Sequence, residues 1–372
     1  MAITENKQQM NTHTDQPASM LSRQSSAQFQ SEMLLGVSRT FALTIPQLPE
    51  QLHYAVGNAY LLCRAVDTIE DEPALTNSQR IEFCNQFIDV VRGTQTPKSL
   101  SEKLLPLLSG NTIPAEHQLI RELPQVIAIT QSFPEPQYQA LLTCVETMAH
   151  GMPLFQETEI KHGLPTQNDF DQYCYYVAGC VGEMLTRLFC EYSDEINRHR
   201  EQMHELSVSF GQGLQMTNIL KDIWDDHQRD VCWLPQDVFR QCGYDLAQLD
   251  PNNNTLAFQK GLSYLVSQAY QHLTNALDYT LLIPSHEKGI RKFCLWAIGM
   301  ALLTLQKISK QLDFKDSQQV KISRRQVNTT IALTNIAVGN NTFLKLLFKT
   351  AGRGLANPLW QPDNKHQESI NV

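Results

Sequence analysis

The sequence is poor in charge, in aromatic rings and in long apolar runs. Charged residues make up 18% of the 372 and aromatic residues 8%. Acids outnumber bases, 38 against 30, for a formal net charge of −8. No basic stripe interleaved with aromatics is present, which speaks against nucleic acid as a partner. The nine cysteines are scattered and none stands in a C-x-x-C pair, so neither a disulfide framework nor a zinc site is expected, and a cytoplasmic setting fits. The longest apolar run, residues 293–305, is shorter than the roughly 18 residues a membrane span needs, and is expected as a buried helix. Residues 1–25 lack the basic and apolar blocks of a signal peptide and are expected as a disordered tail. The remainder divides into one domain, 26–355, and a polar tail, 356–372.

What the chain does have is helical periodicity, with few alternating strand patterns, so the fold class is all-α. Helices are expected over residues 32–45, stopped by Pro46 and Pro49, and over 78–91, 116–129, 137–150 and 168–189. Further helices are expected over 256–282 and 286–311, followed by a basic run at 321–325 and an apolar stretch at 327–338. In 168–189 the small residues Ala178, Gly179 and Gly182 leave room for either a neighbouring backbone or a ligand. His150 and His162 have no neighbour at ligand spacing. In residues 342–349, Phe343, Leu344, Leu347 and Phe348 share one face opposite Lys345 and Lys349, which fits a peripheral membrane contact or docking on the body equally well.

Two acidic stretches stand out. In residues 60–71, YLLCRAVDTIED, a helix would place Tyr60, Arg64, Asp67 and Asp71 on one stripe, with Glu70 beside it and apolar residues elsewhere. Carboxylates on such a helix need cations, bound metal or a shifted pKa, and oxygen ligands of this kind suit Mg²⁺. One match to this acidic spacing is expected by chance about 0.4 times in a chain of this composition, so a single copy proves little. Indeed Glu191, Asp194 and Glu195 repeat the spacing among other charges, where a solvated face is expected. The second copy that counts is GQGLQMTNILKDIWDD, in which Gln215, Asn218, Asp222, Asp225, Asp226 and Arg229 again share a face. Its helix is expected to begin at Gly211 and Gly213 and to end by Pro235. Ser38, Arg39 and Thr40 form a polar island between apolar flanks, and Arg39 is either an ion-pair partner or an anion-binding group.

With these stretches in view the chain resembles the squalene/phytoene synthases, the head-to-head prenyl transferases. The matching pieces are SRTF at 38–41, CRAVDTIED at 63–71, YCYYVAG at 173–179 and QMTNILKDIWDD at 215–226, followed by Leu234 and Pro235. The resemblance implies an isoprenoid-synthase bundle of helices around a central apolar cavity. It implies that Asp67, Glu70, Asp71, Asp222, Asp225 and Asp226 hold Mg²⁺ on the diphosphates of two farnesyl diphosphates. Ser38, Arg39, Phe41, Tyr60, Arg64, Gln215, Asn218, Lys221, Arg229 and Phe293 would contact substrate, and Tyr173 stands where the family places a catalytic tyrosine. FC at 293–294 and VKI at 320–322 resemble the squalene synthases, which implies NADPH as reductant. Asn218, Lys321 and Arg324 are the candidates for its site. Asp225 stands where Glu is usual, Lys221 where Arg is usual, and Ser323 where a base is common. The alternatives are a carotenoid-type synthase that makes dehydrosqualene or phytoene without reduction, and a non-catalytic helical scaffold.

Overall fold

The computed structural model describes residues 18–38, 40–155 and 160–362. Among them the regular elements are all helices, and the one β-type pairing is an isolated bridge between Leu164 and Pro235. The helices that build the site are α1 (Ala18–Val37), α2 (Glu50–Asp71), α3 (Asn77–Arg92), α4 (Pro114–Arg121), α5 (Glu135–Gly151), α6 (Gln167–Cys174), α7 (Cys180–Tyr192), α8 (Arg200–His227), α9 (Leu256–Leu282) and α10 (Lys288–Lys310). Two more, α11 (Arg324–Ala337) and α12 (Asn341–Ala351), close the outside of α10. No helix among the described residues is long and apolar enough to cross a membrane.

The bundle is organised by α2 and α8, which carry the two acidic stretches and both pack on α7. Around α2 lie α1, α3, α4 and α5, while α8 lies along α9 and α10. Burial of nearly every non-stripe residue holds α2 in place: Leu61, Leu62, Ala65, Val66 and Ile69 are all 0% exposed. At its middle the fully buried Asn58 donates to Thr130 Oγ1 at 2.7 Å and accepts from Gln30, so its amide is satisfied where an unpaired one would be costly. The helix stops at Glu72, held extended before Pro73. The Glu72 carboxylate is completely buried and accepts from Ala74 N, Ser109 N and the Thr112 hydroxyl, which ties the end of the acidic stretch to the following loop.

Several boundaries differ from expectation. The first helix begins at Ala18, inside the stretch expected as a tail, and breaks after Val37; Ser38 Oγ accepts from Phe41 N and starts the short helix Phe41–Thr44. The helix expected over 116–129 is two, because Pro124 forces a new start at Leu123. The second acidic helix begins at Arg200, so Gly211 and Gly213 lie in its interior. Their role is close approach. A Cβ on Gly211 would stand 1.9 Å from the Ala178 carbonyl oxygen, and one on Gly182 would stand 2.0 Å from that of Ser207. The small residues of 178–182 therefore serve tight helix packing, and a wide π-helical turn at Tyr175–Gly179 accommodates the crossing.

Candidate active site

The stripe on α2 is where burial fails. Tyr60, Arg64 and Asp67 are half-buried and Asp71 is exposed, on a helix whose other faces are covered. The matching stripe on α8 behaves alike: Leu214, Gln215, Lys221 and Asp222 are half-buried and Asn218 and Asp225 exposed, although the helix runs through the middle of the bundle. Partial exposure along one stripe within each acidic stretch marks a cleft between the two helices. The two sides feel each other, since the Asp71 carboxylate of α2 raises the pKa of Asp226 on α8 and adds to the field that holds the proton on Arg229. The decoy copy at Glu191, Asp194 and Glu195 is exposed, as are His150 and His162.

The electrostatics on the α2 side centre on Arg64. Its guanidinium lies 3.7 Å from Asp67 and 3.6 Å from Glu116 of α4, and donates to the Tyr60 hydroxyl at 3.3 Å. Burial works against the charge, but Asp67, Tyr60 and Glu116 outweigh it and push the pKa up. Asp67, only 22% exposed, is pushed up to about 6 by burial, with Asp71 and Glu116 adding and Arg64 opposing. Its Oδ1 is buried without a hydrogen-bond partner. On the α8 side Asp226 is likewise pushed up to about 6, chiefly by burial, although Arg229 bonds it. Asp222 is raised by burial against the pull of Lys221 at 3.1 Å.

An orphaned carboxylate oxygen and several acids held in an unfavourable charged state are what a divalent cation relieves. Among the described residues no three His, Cys, Asp or Glu side chains enclose a single ion. The donor set therefore fits Mg²⁺ taken by one or two carboxylates at a time, its shell completed by phosphate oxygens and water.

Not every expected residue joins the cleft. Glu70 is 3% exposed, and its charge acts on Cys84 and Tyr173. Phe293 is 2% exposed and stands edge-on to Phe189 at 6.4 Å, within the wall. Phe41 is at the cleft, 5.0 Å from the Tyr60 ring. Arg39 lies outside the described residues. Lys321 and Arg324 are exposed beside Ser323, whose hydroxyl caps α11, and no hydrogen bond or ion pair among the described residues joins either to Asn218. That capping role is the local reason for a serine there.

Tyr173, 4% exposed, stacks on Trp233 with ring centroids 3.8 Å apart and planes 9° apart, and Phe155 meets it edge-on. Burial first, then Glu70, Asp71 and Asp67, lift its pKa well above the usual tyrosine value. Trp233 and Glu116 are the site residues that the sequence does not announce. Neither sits in an acidic stretch, and although Trp233 is seven residues beyond Asp226 the helix ends at His227, so that spacing does not carry it onto the stripe.

Comparison with known proteins agrees with this geometry. The family model described as squalene/phytoene synthase matches residues 34–326. A squalene synthase of Gibberella zeae is 30% identical over 292 residues, 77% of this chain and 59% of that protein. One of Saccharomyces cerevisiae is 31% identical over 283 residues, 74% of this chain and 60% of its own length. The chain thus spans about three fifths of these relatives. Among solved structures, a ligand complex of TcSQS aligns with a TM-score of 0.67 at 21% identity, over 89% of this chain and 98% of that one. A dehydrosqualene synthase aligns with a TM-score of 0.55 at 19% identity, over 89% of this chain and 99% of the other, and at such identities the likeness concerns the fold. With the family model spanning both acidic helices and everything between them, the chain belongs to the squalene/phytoene synthase family.

Proposed function

We propose that this protein joins two farnesyl diphosphates head to head through presqualene diphosphate and delivers squalene, with 26–355 acting as one catalytic domain. The observation that carries the reading is the pair of acidic stripes on α2 and α8, close enough across one cleft for Asp71 to act on Asp226 and Arg229. The relatives named squalene synthase, 30% and 31% identical, support the choice of reaction.

Asp67 and Asp71 on one side and Asp222, Asp225 and Asp226 on the other would hold Mg²⁺, which when bound supplies Lewis-acid stabilisation of a departing diphosphate. Arg64, Lys221 and Arg229 add fixed positive charge where that negative charge develops. Loss of one diphosphate leaves an allylic cation, attacked by the double bond of the second substrate. The rings of Phe41 and Tyr60 present π faces that steady it. Closing the cyclopropane then requires loss of a proton. Tyr173 is held neutral, so it is a poor base, and the released diphosphate is the better acceptor. The Tyr173 ring, fixed by Trp233, then serves as a wall.

Reduction to squalene needs a hydride donor, and NADPH is the expected one. Asn218, Lys321 and Arg324 do not form a single site among the described contacts, so no step is derived through them, and the reductive half rests on the relatives. An amphipathic diphosphate substrate and an apolar product would suit a cytoplasmic enzyme working beside a membrane.

The test is incubation with farnesyl diphosphate and Mg²⁺, with and without NADPH. Squalene formed only with NADPH is the expected result. Dehydrosqualene in both tubes would move the assignment to the carotenoid-type branch. Absence of diphosphate release would leave a scaffold.

Glu116 supplies a finer check. Because it shares Arg64 with Asp67, Glu116→Gln is expected to let the guanidinium settle on Asp67 and to lower kcat/KM by roughly tenfold, with a melting temperature close to that of the parent. Steady-state kinetics with Glu116→Asp alongside, expected to recover part of the loss, separate a charge effect from a packing one.

A further inference from the structure

The last part of the described chain has a charge balance unlike the rest. Residues 317–362 contain Lys321, Arg324, Arg325, Lys345, Lys349 and Arg353 and no aspartate or glutamate, in a protein of net charge −8. Among the described residues only Lys345 of the six is in an ion pair, with Asp278 at 3.7 Å. The same stretch exposes large apolar side chains: Leu333 is 41% exposed, Ile336 75%, Phe343 36% and Leu346 59%. Of these only Phe343 belongs to the face the sequence pattern pointed to. Leu344 and Phe348 are buried against the body, Phe348 stacking on Tyr270, so that part of the face expected as either contact or docking surface docks, while Leu347 is half-buried and Phe343 stays exposed. The exposed set is what remains of α11 and α12 after that docking.

Where α11 and α12 close on α10 they leave a groove of about 310 Å³ with apolar walls, from Leu295, Ile298 and Leu302 on one side to Leu333 and Leu347 on the other, with Arg325 among its lining residues. On α10 these residues lie on the helix face opposite Phe293, so the groove is outside the bundle. A scatter of exposed leucines would need no explanation, but apolar residues gathered beside cations that lack counter-ions do.

We propose that this face of α10, α11 and α12 docks the protein on an anionic lipid surface. The choice of partner follows from charge complementarity. Basic side chains near an anionic headgroup layer are attracted to it, neighbouring apolar side chains enter the interface, and the groove offers a lipid chain an apolar bed. The strongly acidic remainder of the chain is repelled by the same layer, which fixes which side faces down. The inference rests on the catalytic reading only for its purpose, an exit for an apolar product.

The experiment is co-sedimentation of the full chain with vesicles of phosphatidylcholine alone and of phosphatidylcholine with phosphatidylglycerol. Binding to the anionic vesicles that weakens as salt is added is expected. Ile336→Ser with Leu346→Ser, and separately Arg325→Glu with Lys349→Glu, should each lower that binding about tenfold or more. All four positions are exposed, so melting temperatures should hold. Failure of the parent to bind, or variants that bind as the parent does, overturns the proposal. So does a dimer in size-exclusion chromatography that the variants dissolve, with no vesicle binding, since the face would then be an interface between copies. Diphosphate release in vesicle-free buffer should be unchanged in the variants; its absence in the parent would sink the catalytic reading and leave this one standing.

Discussion

Asp226→Asn is expected to give a protein that is more stable without metal and nearly inactive. Asp226 is pushed up to about 6, from an ordinary 3.8, by burial that Arg229 only partly offsets. A carboxyl whose folded pKa is raised is penalised when charged, so the penalty is present in full above about pH 6 and fades as pH falls through 6 towards the unfolded value. At about 1.4 kcal/mol per pKa unit the penalty at neutral pH is roughly 2–3 kcal/mol, and Asp67, also at about 6, adds one of the same sign. The metal-free protein should therefore melt at a higher temperature at pH 5.5 than at pH 7.5. The asparagine should recover roughly 2 kcal/mol at neutral pH, while Arg229, whose side chain is 63% exposed, loses little by losing its partner. Turnover should fall about a thousandfold, because Asp226 is one of the carboxylates that would hold Mg²⁺ where the diphosphate charge develops. Calorimetry with and without Mg²⁺ adds a second sign. The ion favours the charged form, so it should raise the melting temperature of the parent more than that of Asp226→Asn. An asparagine variant that melts lower than the parent would contradict the account.

The second large effect is on the fold. Gly211→Ala places a methyl 1.9 Å from the Ala178 carbonyl oxygen and 2.3 Å from its carbon, both backbone atoms that no rotamer change can withdraw. Relief requires that α8 and the π turn separate, at a cost of about 4 kcal/mol or more, in the range reserved for core overpacking. Gly213→Ala is the control. Two residues along the same helix, its methyl would lie 3.0 Å from Leu273 Cδ2 and 3.1 Å from both His272 Cβ and Leu273 N, which a shift of a few tenths of an ångström between α8 and α9 relieves, for about 1 kcal/mol. Denaturant midpoints for the two variants should differ widely, and equal midpoints would remove the close crossing from the explanation of why α8 has glycine there.

These cases show where sequence reasoning reached and where it stopped. Both acidic stripes were legible because helical spacing is a local property: Tyr60, Arg64, Asp67 and Asp71 must share a face once residues 60–71 are helical, and the same holds from Gln215 to Arg229. The exposed decoy at Glu191 was separable by its charged neighbours. The interior position of Gly211 was not, since a glycine that ends a helix and one that lets two helices touch look alike until the partner backbone is known. Glu116 and Trp233 were invisible for a related reason, each being a single residue far along the chain from the Arg64 or Tyr173 it touches.

The sequence by itself determined the all-α class, the two carboxylate stripes and the family. Only the tertiary structure decided that the stripes face one another across a cleft, that Arg64 is shared with Glu116, that Tyr173 is kept neutral against Trp233, and which apolar residues of α11 and α12 stay uncovered. The division has one cause. Periodicity fixes the side of its own helix on which a residue lies, whereas burial, pKa and ion pairing depend on what the other helices bring to that side.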